Sequence, residues 1–566
     1  MQLFIVFTIL ALAVAYTLWR VVRMLRGRGD CGCGCGDQCP HNKSKHNAAR
    51  GKCHNGHCSC RAIVMLLSLA AVAAQAGNEG QVIAQMARDI RLLPYTELHH
   101  LVVMRYGRVL AEAHAEPFRA NDPHNQYSAC KLLTGLAVGL AVDDGKLRLD
   151  DRVIDLLDDQ APRSRSRELE AMTVRHLLTM TSGMPVATAI RDSSTHWMQA
   201  WLAMQPQAMP GKRMEYDTMT SFMLAALVRN ATGRNILDLL NERILHPMGI
   251  NDVEWELSPD SINTGGWGMR CSTMSMAKIG QLMLQRGQWQ GRQLIAERWV
   301  DQMTTEQLTL LGIKPTHIDE FHDGYGYQVW LCGLQGAYRA QGNMGQLTLV
   351  YPAGRIVVAV NCATPYQGQV LRLVQRYAPR LVSAAAQPVE LPPFELSGQP
   401  WTGDSVRVDL PENSQGFAQL YLQRQPHGPL LTILYDDGTT EQVALGYGQW
   451  AYTQANHTPS YNIGALNRFS GMNRGFTVAA QYACHTGGQL EIWLQYVDWG
   501  TGVRLLVDTV AGRVVITDNK APNRHEVLSI SNHKPVPKAA SRWWIAGFAA
   551  LFIALLALVA RNSYRD

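Results

Sequence analysis

A serine followed three residues later by a lysine occurs three times in this 566-residue chain, at Ser128–Lys131, Ser275–Lys278 and Ser531–Lys534. On a helix, residues three apart lie on the same face, so the lysine amine can reach the serine hydroxyl and accept its proton. A serine activated in this way is a nucleophile that can attack a carbonyl carbon. The surroundings of each pair therefore decide which of the three can do this chemistry.

The pair Ser128–Lys131 opens a run that carries no charge between Lys131 and Asp143. A helix that is apolar on all sides is a buried helix. Burial disfavours the ammonium form of Lys131 and makes the neutral, basic amine more accessible. The free N–H groups at the helix start also favour negative charge that develops near Ser128. The other two pairs lie in an amphipathic helix pattern and in a polar stretch, where we expect solvated lysines.

Two further segments carry groups that could complete such a site. Pro210–Thr218 predicts a turn that leads into a helix, which places the Tyr216 hydroxyl where it can act as an acid or base. Gly345 precedes a predicted strand, and a glycine at a strand edge lets a substrate approach the backbone closely. The N–H of the following residue, Gln346, could then join that of Ser128 as an oxyanion hole.

Composition and charge patterning indicate a membrane setting rather than a nucleic-acid partner. Charged residues make up 17% of the chain, the net charge is +6, and no basic stripe interleaved with aromatic residues appears. Residues 1–19 and 543–560 are apolar runs near the length of a membrane span, and arginines follow both. Residues 62–76 predict an export signal or a second span, because a short apolar run follows a charged start and ends in an Ala-x-Ala-like site. The basic residues 20–61 are then cytoplasmic, which places residues 80–382 outside the inner (cytoplasmic) membrane, facing the periplasm or the cell exterior.

The exported part divides into two regions of different pattern. Residues 80–382 mix helical and strand patterns, whereas residues 383–400 are rich in Ala and Pro and predict a linker. Residues 401–530 show short alternating runs with turn signals such as Asp437-Gly438, which predicts an all-β domain. The expected architecture is therefore an α/β (α+β) domain, a linker, an all-β domain and terminal transmembrane helices.

A dense group of thiols and imidazoles lies in the segment 20–61. In a reducing compartment such a tract favours soft metal ions over disulfides, so zinc or iron is the expected metal, although the spacing does not match a standard zinc finger. A tract without a physiological metal is the alternative. Leu3–Cys60 is similar to the small Cys-rich membrane proteins found beside ferrous iron transporters. The candidate metal ligands are Cys31, Cys33, Cys35, Cys39, Cys53, Cys58 and Cys60.

The α/β region carries the motifs Tyr127–Lys131, Leu147–Arg152, Thr173–Gly183, Pro210-Gly211, Tyr216, Gly266–Arg270, Met276–Gln281, Tyr325–Tyr327 and Gly342–Gln346. In their order and spacing it resembles a known family, the serine β-lactamase-like hydrolases, close to class C β-lactamases and D-alanyl-D-alanine carboxypeptidases. The resemblance covers roughly residues 95–375. It implies an antiparallel sheet flanked by helices, a largely helical second lobe, and an acyl-enzyme mechanism carried by Ser128, Lys131 and Tyr216 without a cofactor.

Two motifs depart from the β-lactamase pattern. β-Lactamases carry Tyr-x-Asn where this chain has Tyr216-Asp217-Thr218, and Lys-Thr-Gly where it has Asn343-Met344-Gly345. The missing cation argues against a true β-lactamase, because penicillins and peptidoglycan stems present a carboxylate. The Tyr-x-Thr version resembles the branch that includes esterases and the 6-aminohexanoate-dimer hydrolase. Gly345 and Gln346 keep the oxyanion hole, and Thr218 and Asn343 are expected to face the substrate.

Three functions compete at this point. The first is a membrane-anchored serine hydrolase that cleaves an ester or amide bond in a small-molecule or peptidoglycan-derived substrate. The second is a non-catalytic protein that keeps the penicillin-binding fold to bind cell-wall ligands. The third is a membrane metal-handling protein that acts through its Cys-rich segment. The intact set of Ser128, Lys131 and Tyr216 favours the first, while no motif specifies the substrate or the oligomeric state.

Overall fold

Four predicted segments lie outside the part of the chain that the computed structural model describes: residues 1–19, 20–61, 62–76 and 543–560. Within the described part, no helix combines the length and the apolar character needed to cross a membrane. The described residues are 81–310, 324–461 and 463–529, with gaps at 158, 161, 382–385, 387 and 521–523.

The first domain alternates helices and strands, which confirms the predicted α/β class. A helix over residues 81–91 (α1) precedes the first strand. The strands are Glu97–Arg105 (β1), Arg108–His114 (β2), His124–Asn125 (β3), Glu254–Trp255 (β4), Met269–Cys271 (β5), Gln288–Trp289 (β6), Arg292–Gln293 (β7), Trp330–Leu331 (β8), Tyr338–Gly342 (β9), Gln346–Tyr351 (β10) and Ile356–Ala363 (β11). The other helices are Lys131–Asp143 (α2), Val153–Leu156 (α3), Arg167–Glu170 (α4), Val174–Leu178 (α5), Ala189–Ser193 (α6), Trp197–Leu202 (α7), Thr218–Thr232 (α8), Ile236–Leu240 (α9), Thr273–Leu284 (α10), Glu297–Thr304 (α11), Gln307–Leu310 (α12) and Gln367–Tyr377 (α13).

An antiparallel sheet and a helical lobe, both predicted, make up this domain. The sheet has the strand order β2-β1-β11-β10-β9-β8. Helix α10 packs on β1, β10 and β11, and its Gly280 permits the close approach, since an added Cβ would lie 2.7 Å from Val357 and 2.9 Å from Thr348. In the helical lobe, α2 packs against α8 and α9, and every residue of α2 from Lys131 to Ala141 is buried. The uncharged run after Lys131 therefore forms the predicted buried helix.

The C-terminal domain is all-β, as its alternating pattern predicts. A four-stranded sheet (β12–β15) and a six-stranded sheet (β16–β21) are both antiparallel with neighbours in chain order. Alternate residues of the two sheets, such as Ile433 and Leu494, point into the space between them. The hairpin at Asp437-Gly438 forms where expected, with Gly438 at φ +84°. The strands are Ser405–Asp409, Phe417–Gln425, Gly428–Tyr435, Thr440–Ala444, Ala451–Ala455, Phe476–Cys484, Gln489–Tyr496, Thr501–Asp508, Arg513–Asp518 and His525–Ser529, which are β12 to β21 in order.

A buried arginine joins the two domains. Arg270 of β5 is fully buried, and its guanidinium donates to the Glu254 carboxylate at 2.9 and 2.6 Å and to the Gly475 carbonyl at 3.3 Å. Glu254 in turn accepts from the backbone N–H groups of Asn473 and Arg474 at 2.9 Å each. Burial by itself would raise the pKa of Glu254, but these contacts hold that pKa below its ordinary value. The junction is therefore a network of paired charges and satisfied backbone groups.

Two buried carboxylates at this junction make stability depend on pH. Burial raises the pKa of Glu256 to about 7 and that of Asp498 to about 7. The folded chain therefore keeps protons that the unfolded chain releases above about pH 4, so this stabilisation is complete at lower pH and is lost as pH rises towards 7. We expect Tm in calorimetry to fall between pH 5 and 7.5, and to fall less steeply in Glu256→Gln.

The glutamine should preserve the acceptor for the Phe469 N–H, which lies 3.3 Å from the Glu256 carboxylate. The exposed Glu412→Gln is the control and should keep the wild-type pH profile. Equal slopes in all three proteins would contradict the assignment of this pH dependence to Glu256.

Candidate active site

Ser128 lies in a 3-10 turn, Tyr127–Cys130, that leads directly into helix α2. Lys131 is the first residue of that helix, and its Nζ donates to Ser128 Oγ at 3.0 Å. Ser128 is half-buried, whereas Lys131 is only 2% exposed. The hydroxyl can thus be reached from solvent while the amine beside it is shielded.

Three oxygen atoms surround the Lys131 amine. Its Nζ lies 2.7 Å from the Gly266 carbonyl, 3.0 Å from Ser128 Oγ and 3.4 Å from Thr218 Oγ1. Gly266 was absent from the predicted site, although it opens the Gly266–Arg270 motif. An added Cβ at Gly266 would lie 2.7 Å from the Thr218 carbonyl and 3.3 Å from Lys131 Nζ, so the site has room only for glycine. The structure thus brings Thr218 to the lysine, whereas the role of Thr218 in facing the substrate stays a prediction.

Tyr216 lies beside the same lysine, in the turn before α8. Its ring centroid is 5.0 Å from Lys131 Nζ. The ring stacks on Trp330 at 5.2 Å and meets Tyr325 edge-on at 6.3 Å. Burial, with a contribution from Tyr216, holds the pKa of Tyr325 well above its ordinary value, so Tyr325 stays protonated. These aromatic rings, of which Trp330 was not predicted, form one wall beside the serine–lysine pair.

Asp217 separates Tyr216 from Thr218 and has a structural role. It is the N-cap of α8, where its carboxylate accepts from the Thr220 N–H at 3.1 Å. It also accepts from the Ala187 N–H at 3.2 Å. The cap fixes the start of α8 and with it the direction of the two flanking side chains.

The Asn343–Gln346 segment forms the tight turn between β9 and β10. The Cys332 N–H donates to the Ala337 carbonyl, which therefore faces β8, so by alternation the backbone groups of Gly342 face β10. Gln346 pairs with Gly342, so the Gln346 N–H faces β9. Its side-chain amide donates to the carbonyls of Asn343 and Cys362, at 3.1 and 2.8 Å. Gln346 is thus engaged in the sheet, and its N–H does not face the open edge of β9.

The neighbouring Gly345 and Asn343 also serve the turn. Gly345 has φ +90°, and an added Cβ would lie 2.9 Å from the Cys362 side chain and 2.8 Å from that of Thr364. The Asn343 side chain accepts from the Met344 N–H at 3.0 Å. Turn geometry and packing therefore explain the glycine, and close approach of a substrate there stays a prediction.

One edge of β9 is not covered by β10. It lies beside the turn Tyr127–Cys130, which carries the proposed nucleophile Ser128 and is named the nucleophile turn. The Ala337 carbonyl accepts from the Cys332 N–H at 3.0 Å and so faces β8. Because backbone groups alternate along a strand, the N–H and C=O groups of Arg339 and Gln341 point to the same side. In the described part of the chain, β8 pairs with β9 only as far as Arg339, which leaves the Gln341 N–H on an open edge. Because β9 contacts Tyr127–Cys130, this open edge, with the Gln341 N–H on it, lies beside the turn that carries Ser128. The turn signal in Gly342–Gly345, between two strand-like runs, could have revealed this register.

The second serine–lysine pair is structural, as its sequence context predicts. Ser275 is buried in the first turn of α10, and its hydroxyl donates to the Asp252 carboxylate at 2.7 Å. Lys278 is partly exposed on the same helix. The third pair, Ser531–Lys534, lies outside the described residues.

A metal site is not found among the described residues, where no group of three or more His, Cys, Asp or Glu side chains could hold an ion. The five cysteines of this part form no disulfide with one another, and four of them are buried. The candidate metal ligands Cys31, Cys33, Cys35, Cys39, Cys53, Cys58 and Cys60 lie outside the described residues.

Two family models match this chain. The Beta-lactamase model matches residues 99–378, and the model of the FeoB-associated Cys-rich membrane protein matches residues 2–61. Monacolin J acid methylbutanoyltransferase of Aspergillus terreus is 28% identical over 172 residues, which are 26% of this chain and 41% of that protein. The 6-aminohexanoate-dimer hydrolase of Paenarthrobacter ureafaciens is 20% identical over 252 residues, 41% of this chain and 63% of that protein.

The chain thus spans less than two thirds of the length of either relative. Among solved structures, a penicillin-binding protein homolog from Caulobacter crescentus is 15% identical, with a TM-score of 0.45. That likeness covers 53% of this chain and 97% of the homolog. Through residues 99–378, which carry the Ser128–Lys131 pair, this chain belongs to the serine β-lactamase-like family.

Proposed function

We propose that this protein is a serine hydrolase that forms an acyl-enzyme on Ser128. The observation that carries the proposal is the 3.0 Å contact between Ser128 Oγ and Lys131 Nζ. Lys131 is buried there, and its other contacts are the Gly266 carbonyl and Thr218 Oγ1. An amine held in this way, in its neutral form, gives the serine hydroxyl a base within hydrogen-bond reach.

The reaction begins when the Ser128 hydroxyl gives its proton to Lys131 and its oxygen attacks an ester or amide carbonyl. Tyr216, beside the lysine, passes a proton to the leaving group as that group departs, and the protonated Lys131 returns a proton to Tyr216. Water then attacks the acyl-enzyme and gives a proton to Lys131, which passes it to Ser128 as the acid is released. The negative charge on the carbonyl oxygen is stabilised by the N–H of Ser128, at the start of its helical turn, and by that of Gln341.

The wall beside the serine favours one class of substrate. Tyr216, Trp330 and Tyr325 present aromatic surface next to Lys131. Asn343 stands where β-lactamases carry the lysine that binds a substrate carboxylate, and its side chain bonds within its own turn. We therefore propose an ester or amide with an apolar acyl group, ahead of a carboxylate-bearing penicillin or peptidoglycan stem. Transfer of the acyl group to an alcohol, which the name of the methylbutanoyltransferase suggests, would use the same acyl-enzyme.

We also propose that the hydrolase is anchored in the inner (cytoplasmic) membrane with its catalytic domain outside the cytoplasm. The match of residues 2–61 to a Cys-rich membrane protein family supports the anchor. The basic residues around that segment support the orientation. Zinc or iron measured in the purified full-length chain, and lost when the seven cysteines of this segment are replaced by serine, would test its metal site.

Activity-based labelling tests the hydrolase. The full-length protein in detergent is treated with a fluorophosphonate probe and, separately, with a fluorescent penicillin. We expect the fluorophosphonate to label the wild type and the Ser275→Ala control, and to leave Ser128→Ala unlabelled. Penicillin labelling would move the substrate towards cell-wall peptides. A folded wild type that neither probe labels would overturn the hydrolase and favour a binding protein that keeps the fold.

A further inference from the structure

The residue before the proposed nucleophile has a strained backbone. Tyr127 has φ +47°, in the left-handed region that residues with a Cβ rarely adopt. Such a conformation persists only where the surroundings hold it in place. Within the first domain, the Tyr127 N–H donates to the Asn125 side chain at 3.0 Å. The Tyr127 side chain is 2% exposed, so its ring must be covered by further groups.

The all-β domain supplies that cover. The ring of Tyr461 lies 5.8 Å from that of Tyr127, centroid to centroid. Trp499 meets the Tyr461 ring edge-on at 5.0 Å, and Phe469 packs on it at 5.8 Å. Trp499 and the following Gly500 also line a narrow crevice with Tyr127 itself. The nucleophile turn is thus enclosed by aromatic side chains from a domain more than 300 residues further along the chain.

Tyr461 belongs to a connecting segment that is bonded to the first domain a few residues further along. The described residues of this segment, 456–461 and 463–475, connect β16 to β17. Three of its backbone groups, within Leu466–Ser470, are bonded to the first domain and hold that part of the segment against it. The bonds run from the Leu257 N–H to the Ser470 carbonyl at 2.8 Å, from the Leu466 N–H to the Arg191 carbonyl at 2.7 Å, and from the Phe469 N–H to the Glu256 carboxylate at 3.3 Å.

We propose that Tyr461 of the all-β domain is a positioning residue for Ser128, whose ring holds the strained Tyr127 turn and thereby keeps the serine hydroxyl at Lys131. This inference rests on the proposed hydrolase function. The Tyr461 hydroxyl is buried near the Asn125 amide without a hydrogen bond of normal geometry, so the ring carries the role. The all-β domain is then part of the catalytic machinery and not only an appended module.

The test measures how fast the full-length protein reacts with a fluorophosphonate over a range of probe concentrations. Tyr461→Ala should lower the maximal labelling rate roughly tenfold to a hundredfold, because small displacements of a nucleophile are costly, and should leave the half-saturating concentration unchanged. Tyr461→Phe keeps the ring and should stay within about twofold of the wild type. If the alanine variant folds poorly, Tyr461→Leu retains apolar volume at this position. Its maximal labelling rate should lie between those of Tyr461→Ala and Tyr461→Phe.

The matched control is Tyr482→Ala. Tyr482 is a buried tyrosine of the same domain, on strand β17, that packs on Tyr447, so its loss lowers stability without removing the cover from Tyr127. Its labelling rate should stay near that of the wild type. A folded Tyr461→Ala variant that labels as fast as Tyr482→Ala would overturn the inference.

Hydrogen exchange of the amides in residues 126–131 gives a readout that does not need enzyme activity. Exchange there should rise in Tyr461→Ala and stay unchanged in Tyr461→Phe and Tyr482→Ala. If the wild type is not labelled at all, the hydrolase proposal fails, and exchange alone then decides whether Tyr461 holds the turn. Unchanged exchange in Tyr461→Ala would overturn the positioning role in either case.

Discussion

Lys131→Ala should lower the rate of Ser128 acylation by about three orders of magnitude, the loss expected when a serine nucleophile is deprived of its base. Lys131 Nζ is 3.0 Å from Ser128 Oγ and is held by the Gly266 carbonyl, so the variant loses both the proton acceptor and the group that orients the hydroxyl. The measurement is the time course of fluorophosphonate labelling, together with hydrolysis of a chromogenic short-chain ester.

Two further variants distinguish the role of Lys131 as a proton acceptor from its other roles. Lys131→Arg keeps a positive charge but cannot accept a proton at neutral pH, so it should be about as slow as Lys131→Ala. Lys278→Ala changes the lysine of the structural Ser275–Lys278 pair and should react at the wild-type rate. An active Lys131→Arg variant would show that the lysine acts as a cation and not as a base.

Arg270→Ala should have the largest effect on stability. The change leaves the Glu254 carboxylate, whose side chain is 12% exposed, without its cation and leaves the Gly475 carbonyl without its donor. Breaking a buried ion pair by removing one partner costs about 3–5 kcal/mol. We expect a clear fall in Tm and in the midpoint of urea unfolding. Because Arg270 helps to dock the domain that covers Tyr127, the labelling rate should fall as well.

The control for this variant is an arginine whose ion pairs lie at the surface. Arg286 is 55% exposed and pairs with Glu297 and Asp301, and such pairs contribute at most about 1 kcal/mol. Arg286→Ala should therefore leave Tm almost unchanged. The double variant Arg270→Met with Glu254→Gln should be more stable than Arg270→Ala, because the unpaired Glu254 charge is gone and the amide oxygen can still accept from the Asn473 and Arg474 N–H groups. An Arg270→Ala protein as stable as Arg286→Ala would show that the junction does not depend on this pair.

The serine–lysine pair and its buried helix could be predicted from the sequence, because both depend on residues close together in the chain. A separation of three residues places Ser128 and Lys131 on one face of a helical turn, and the uncharged run that follows is enough to predict burial. The hairpin at Asp437-Gly438 is local in the same way. The turn at Asn343–Gln346 shows the limit of prediction from sequence. A glycine next to a strand gives the same sequence pattern whether it lies at a free edge of a sheet or in a hairpin turn.

The sequence by itself therefore determined the Ser128–Lys131 pair at the start of a buried helix, the α/β domain, and the all-β domain that follows. Tertiary structure alone decided that the Gly266 carbonyl holds the lysine, that Gln341 and not Gln346 lies on the open edge of β9, and that Tyr461 covers the nucleophile turn. Lys131 and Gly266 are 135 residues apart, so no local pattern links them. Strand register and domain docking depend on how distant segments pack, and that packing brings these residues to Ser128.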